Sequence, residues 1–69
     1  MKIEYKGFIL EANREKTHQG IYRTFYSAVE QNTKMILEEN NDNISIPDAI
    51  EELKEDVDNY IKDTRNDEA

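Results

Sequence analysis

The sequence contains no cysteine, no tryptophan, one proline and two glycines in 69 residues. Without cysteine there can be no disulfide, no thiolate metal site and no cysteine nucleophile. Because secreted domains of this size usually rely on disulfides, the composition is typical of an intracellular protein. No apolar run approaches the roughly 18 residues of a membrane span. We therefore expect a cytoplasmic chain without a membrane anchor.

Residues that carry out catalysis or hold cofactors are also scarce. His18 is the only histidine, and its polar surroundings suggest neither a pocket nor a partner for a general base. The stretch from Glu38 to Asp42 is rich in oxygen ligands, but it lacks the glycine and the distal glutamate of an EF-hand loop. Gly7 and Gly20 stand alone and form no phosphate-binding loop. We expect a protein that is not an enzyme and that holds no metal or other cofactor.

Negative charge is in excess and lies in one half of the chain. The formal net charge is -7 and charged residues make up 36%, against about 25% in ordinary domains. Residues 1–34 hold six basic and four acidic side chains, and residues 35–69 hold three basic and twelve acidic ones. Such a charge distribution repels nucleic acid and anionic lipid and attracts basic surfaces. The expected partner is a basic surface of a protein, with no direct binding to nucleic acid or membrane.

Three β-strands are predicted within residues 2–39. Residues 2–12 alternate in polarity with one change of parity at Gly7, for which a β-bulge is the first interpretation and a tiny hairpin the second. Residues 21–29 are rich in aromatic and β-branched side chains, and residues 33–39 read as a third strand. Short connections predict an antiparallel meander, and the Asn and Asp cluster at 38–43 predicts a loop.

The helix is the most strongly marked element. Ser45, followed by Pro47 and Asp48, is typical of a helix start with a capping serine. Apolar residues then recur at spacings of three and four, namely Ile46, Ile50, Leu53, Val57, Tyr60 and Ile61. We predict one α+β domain at residues 1–63, in β-β-β-α order, with this helix packed on one face of a three-stranded antiparallel sheet. A frayed acidic tail is predicted at 64–69, and a homodimer or a partner is expected to complete the small core.

The exposed side of this helix carries many carboxylates. Three like-charged pairs at spacing i,i+4 each cost a few tenths of a kcal/mol, whereas a helix built for stability alone would use opposite charges. Their density along the helix, about one per 3.4 Å, matches the phosphates of one DNA strand. The face is either solvated surface or a DNA-mimic-like binding surface. The predicted partner-binding residues are Glu38, Glu39, Asp42, Asp48, Glu51, Glu52, Glu55, Asp58, Tyr22 and Tyr26.

Short motifs resemble small acidic proteins of phages and mobile elements. The segments that carry the likeness are Tyr5-Lys-Gly-Phe8, Glu11-Ala-Asn-Arg-Glu15 and Phe25-Tyr-Ser27, and it spans most of residues 3–62. The resemblance implies an anti-defence inhibitor of the anti-CRISPR or anti-restriction kind. Such a protein would act in the cytoplasm of the host cell, on a nucleic-acid-binding effector.

A second resemblance is to the N-terminal domain of HicB-type antitoxins. Three strands are followed there by a helix similar to Ser45-Ile-Pro-Asp-Ala-Ile50 and its continuation to Asn59-Tyr-Ile61. This resemblance implies the alternative function, a domain that binds and covers a toxin. Its contacts would bury Tyr22 and Tyr26 more than the acids.

Overall fold

The computed structural model describes the backbone of residues 1–66 and the side chains of residues 1–64. Within this part, four strands precede one helix: β1 (Lys2–Tyr5), β2 (Phe8–Lys16), β3 (Tyr22–Glu30), β4 (Ile36–Asp42) and α1 (Ile46–Asn66). The strands form one antiparallel sheet in the order β1-β2-β3-β4. The predicted α+β class and the antiparallel meander with a closing helix are confirmed, but the sheet has four strands and not three.

The additional strand arises at Lys6 and Gly7, where the predicted β-bulge is wrong and the alternative hairpin is confirmed. Tyr5 pairs with Phe8 across a two-residue turn. Lys6 has a φ of 50° and Gly7 a φ of 86°, as the tight turn of a two-residue hairpin requires. Because the chain reverses there, Tyr5 and Phe8 lie on the same face of the sheet, which explains the change of parity in the sequence.

Strand β4 corrects two further predictions. It begins at Ile36 and runs to Asp42, so the predicted strand at 33–39 is displaced and most of the predicted loop at 38–43 is extended strand. Its Asn and Asp residues still bond locally, because the Asn41 N–H donates to Asn40 Oδ1 at 2.8 Å. Arg23 from β3 donates to the Asn41 carbonyl. β4 is an edge strand, and these side chains occupy backbone groups of Asn41 that have no neighbouring strand.

One face of the sheet and one stripe of the helix form the core. On β2 and β3, alternate residues turn toward α1, and they include fully buried Leu10 and Ala28. From the helix, Leu53 and Val57 are fully buried against them. The small side chains in this layer let the helix approach the sheet closely. The core residues are Phe8, Leu10, Ala12, Tyr26, Ala28, Ala49, Ile50, Leu53 and Val57.

The helix begins as the sequence predicts and continues beyond the predicted end of the domain. Ser45 Oγ accepts a hydrogen bond from the Asp48 N–H at 3.2 Å, which satisfies one of the unpaired donors of the first turn. The helix then extends through Asn66. The tail predicted at 64–69 therefore begins inside the helix, and its last three positions lie outside the described residues. No helix in the described part is long and apolar enough to cross a membrane.

Hydrogen bonds join the β2–β3 hairpin to the segment that leads into the helix. We call this network of Arg14, Thr24, Asn43 and Ile44 the clasp. Arg14 donates to the carbonyl of Ile44 at 2.6 Å, to Asn43 Oδ1 at 3.1 Å and to Thr24 Oγ1 at 2.9 Å. Thr24 is fully buried and its hydroxyl donates to the same Ile44 carbonyl. The guanidinium thus holds both the sheet and the start of the helix through a fork of donors that lysine cannot reproduce.

We predict that Arg14→Lys lowers the free energy of unfolding by about 1–2 kcal/mol, because two or three charge-assisted hydrogen bonds are lost. Urea unfolding followed by circular dichroism measures the change. Arg23→Lys is the matched control and should cost less than about 0.5 kcal/mol, since Arg23 contacts only the exposed edge strand, with hydrogen bonds to Asn41 and a 4.0 Å approach to Asp42. Equal losses in the two variants would contradict the role of the clasp.

Candidate acidic groove

A groove of about 330 Å³ runs between β4 and α1, and carboxylates line both of its sides. On β4, residues of one parity face the helix side of the sheet. On α1, carboxylates at spacings of three and four residues lie along the flank next to β4. We call this site the acidic groove, and its lining consists of Tyr26, Glu38, Asn40, Asp42, Glu52, Glu55 and Asp56.

Tyr26 forms the floor of the acidic groove. Its side chain is only 6% exposed, and its hydroxyl donates to Glu52 Oε2 at 2.9 Å. Burial, followed by the hydrogen bond and the charge of Glu52, raises the pKa of Tyr26 to about 12, with smaller contributions from Asp42 and Glu38. The phenol therefore stays protonated and acts as a donor. Its raised pKa reflects burial first, and after burial the hydrogen bond and the negative charges of the surrounding carboxylates.

The charge of the acidic groove is largely uncompensated. Burial, and then the neighbouring charges of Glu52 and Glu55, raise the pKa of Asp56 above its ordinary value of 3.8. Among the side chains of residues 1–64, the one cation within 4.0 Å of a groove carboxylate is Arg23, whose guanidinium lies 4.0 Å from Asp42. A cationic side chain entering the groove would therefore meet several carboxylates, of which only Asp42 has a cation of residues 1–64 within 4.0 Å.

The other flank of the helix, next to β1, has the opposite character. Asp58 accepts a hydrogen bond from Lys6 Nζ at 2.7 Å and from the Tyr5 hydroxyl at 3.0 Å. These bonds lower the pKa of Asp58 and, on the other side of the pair, raise the pKa of Lys6. The ammonium groups of Lys6 and Lys54 also lie over the Tyr5 ring, at 5.2 and 5.5 Å from its centre. Acidic charge on this flank is balanced within the fold.

The structure divides the ten predicted partner-binding residues into two sets. Five of them line the acidic groove: Tyr26, Glu38, Asp42, Glu52 and Glu55. The other five lie elsewhere. Asp58 is paired with Lys6, and Glu39 is on the opposite face of the sheet. Asp48 and Glu51 are exposed on the first turns of the helix, and Tyr22 is exposed on the hairpin.

Tyr26 differs most from its predicted role, because its ring belongs to the core and only its hydroxyl reaches the acidic groove.

Sequence reasoning missed two residues of the acidic groove, Asn40 and Asp56. The period of two over Glu38, Asn40 and Asp42 would have placed these three on one face of a strand. The Asn and Asp composition favoured a loop instead. Asp56 belongs to the same helix flank as Glu52, one turn further on.

Neither a metal site nor a known relative offers another route to function. Within the described residues, no group of three or more acidic, histidine or cysteine side chains is arranged to hold a metal ion. Comparison with known proteins finds no family model that matches, no similar curated protein and no similar solved structure. The resemblances to anti-defence proteins and to HicB-type antitoxins therefore stay predictions.

We predict that one of the four tyrosines ionises near pH 12 and that this step is absent in Tyr26→Phe. Absorbance of the phenolate, followed during an alkaline titration, measures the step, and circular dichroism shows that the protein is still folded at that pH. Tyr22→Phe is the control, since Tyr22 lies exposed on the same strand. If the high-pH step disappeared in the Tyr22 variant and persisted in the Tyr26 variant, the raised pKa would not belong to the buried Tyr26.

Asp56→Asn is expected to stabilise the protein by about 0.3 kcal/mol at neutral pH, or about 2 °C in Tm. Because folding raises the pKa of Asp56, the folded protein binds its proton more tightly than the unfolded chain does. The contribution of Asp56 to stability therefore falls as pH rises above 3.8 through the raised pKa. The gain should vanish at low pH and shrink with added salt.

Asp48→Asn is the matched control for this prediction and should destabilise the protein. Asp48 lies in the first turn of α1, where a carboxylate interacts favourably with the positive end of the helix dipole. Thermal unfolding of both variants, followed by circular dichroism, shows whether Asp56→Asn raises Tm and Asp48→Asn lowers it. A loss of stability in Asp56→Asn at neutral pH would show that the groove charges do not repel one another.

Proposed function

We propose that the protein is a non-enzymatic binding module that presents the acidic groove to a basic surface of another protein. The observation that carries this proposal is the convergence of carboxylates from β4 and α1 on one groove, where Arg23, 4.0 Å from Asp42, is the one cation of residues 1–64 in ion-pair range. Close like charges destabilise a fold by a few tenths of a kcal/mol per pair. Their presence on one flank, while the other flank is balanced, supports a role in binding.

We further propose that this basic surface belongs to a nucleic-acid-binding effector of a host defence system. A row of carboxylates along a helix offers such an effector an anionic surface in place of phosphates. The resemblance of the sequence to small acidic phage proteins supports the same partner. In this role the protein is an inhibitor that occupies the effector's binding surface, and attraction between opposite charges accelerates its association at low salt.

The alternative function, an antitoxin domain that covers a toxin, finds partial support on the β2–β3 hairpin. Tyr22 is 56% exposed there and adjoins exposed Ile21. Exposed aromatic side chains are frequent anchors in protein interfaces. Tyr26 cannot serve in this way because it is part of the core. Under this alternative, Tyr22→Ala should weaken binding to the partner far more than neutralisation of the acidic groove.

The test neutralises the acidic groove with Glu38→Gln, Glu52→Gln, Glu55→Gln and Asp56→Asn in one variant. Asp58 is left intact because it pairs with Lys6, and Asp42 because it lies near Arg23. The matched control neutralises four carboxylates that line neither groove of the sheet, with Glu4→Gln, Glu15→Gln, Glu30→Gln and Glu51→Gln. Both variants carry a formal net charge of -3 in place of -7, since each loses four acidic charges.

Both variants and the wild type are added to purified DNA-binding effectors of CRISPR and restriction systems, and DNA binding is measured by mobility shift. The wild type should displace DNA from a susceptible effector, and added salt should weaken the effect. The groove variant should lose at least about tenfold in potency while the control stays within about twofold. Undiminished potency in the groove variant would overturn the proposal.

A further inference from the structure

The face of the sheet that α1 does not cover contains a second groove, of about 500 Å³. Its floor is half-buried Ser27, and the ring of Phe25, 38% exposed, closes one end. Two carboxylates and two carboxamides stand around them. We call this site the open-face groove, and its side chains belong to Glu11, Asn13, Phe25, Ser27, Glu39 and Asn41, with backbone from Tyr26 and Asn40.

The register of the sheet places the two carboxylates on either side of Ser27. Glu11 pairs with Ser27 across β2 and β3, and Glu39 pairs with it across β3 and β4. Since neighbouring strands lie about 4.8 Å apart, the backbones of Glu11 and Glu39 are about 10 Å apart. That separation leaves room for one planar cation between the two carboxylates, above the small serine.

The next row of the sheet adds an aromatic surface and two amides. Phe25 pairs with Asn13 on one side and with Asn41 on the other. It stands two residues from Ser27 along β3, a distance of about 7 Å on the same face. A cation above Ser27 is therefore within reach of the face of an aromatic ring, an arrangement that favours guanidinium groups.

Cations of the fold itself bind the amides and not the carboxylates. The amino group of Met1 donates to Asn13 Oδ1 at 3.1 Å, and Arg23 Nε donates to Asn41 Oδ1 at 2.7 Å. Among the side chains of residues 1–64, no cation lies within 4.0 Å of Glu11 or Glu39. The amide groups are therefore held in place. Neither carboxylate forms an ion pair with a side chain of residues 1–64, and Lys2 lies opposite Glu11 in the register of β1 and β2.

We propose that the open-face groove binds an arginine side chain of a partner protein. The guanidinium lies between Glu11 and Glu39 and donates to both, while its plane packs against Phe25. Arginine fits better than lysine, because its planar fork reaches two carboxylates at once and stacks on a ring, whereas the ammonium of lysine is a point charge. This site is separate from the acidic groove and rests on different residues, so either proposal can fail alone.

The test is a titration of the isotopically labelled protein with the capped peptide Gly-Ser-Arg-Ser-Gly, followed by amide NMR spectra. The backbone amides of residues 25–27 and 39–41 should shift, and they should shift much less with lysine in place of arginine. Citrulline, which has the shape of arginine without its charge, should cause no shift. Equal shifts with citrulline, or no shift at these amides with arginine, would overturn the proposal.

Variants distinguish binding at the open-face groove from a general attraction of cations to an acidic protein. Glu11→Gln with Glu39→Gln should weaken binding of the arginine peptide at least about tenfold, and Phe25→Leu should weaken it a few fold. The control pair Glu30→Gln with Glu51→Gln removes the same charge at positions outside both grooves and should leave affinity within about twofold. Equal weakening in the control pair would mean that the peptide is attracted only by the net negative charge of the protein, and would overturn the proposal. The same spectra show whether each variant is folded.

Discussion

A β-sheet has two faces, and this chain supplies one helix to cover them. The apolar stripe of α1, centred on Leu53 and Val57, packs on the face that carries Leu10 and Ala28. Burial of this layer is the main favourable contribution to folding in so short a chain. The helix occupies the middle of that face, so both of its flanks and the whole opposite face meet water. Both grooves found among the described residues lie on these surfaces, one beside the helix and one on the opposite face.

The position of the helix also separates its charges. Toward β1, the Lys6 turn brings an ammonium and a tyrosine hydroxyl to Asp58, and the charges cancel locally. Toward β4, the helix carboxylates face Glu38 and Asp42 across a groove in which Tyr26 is the only hydroxyl donor. The fold thus has one balanced flank and one anionic flank of the helix. The asymmetry follows from which strand each flank of the helix adjoins.

The helix could be predicted from sequence because its signals are local. A capping serine, a proline in the first turn and a period of three to four residues suffice to place its start and its buried face. The change of parity near Gly7 has two solutions, a bulge or a turn, and local sequence does not choose between them. Strand β4 could not be recognised from the sequence. Side chains that bond their own backbone are typical of loops as well as of protected edge strands.

The candidate sites were predictable only in part, for a related reason. The carboxylates of the helix are visible in the sequence, but the strand that forms the other wall of the acidic groove is set by long-range pairing. The bond between Lys6 and Asp58 joins residues 52 positions apart and depends on the hairpin turn that projects Lys6 toward the helix. For the same reason Glu39, which appears beside Glu38 in the sequence, belongs to the opposite face.

The local bonds of Asn41 have a consequence for behaviour at high concentration. Its N–H donates to the preceding side chain and its carbonyl accepts from Arg23, so this stretch of the edge offers few hydrogen-bonding groups to a strand from another molecule. Stacking of copies edge to edge, the first step toward fibrils, is impeded there by occupied backbone groups as well as by charge. The same strand thus forms one wall of the acidic groove and has a stretch of edge that is protected from pairing.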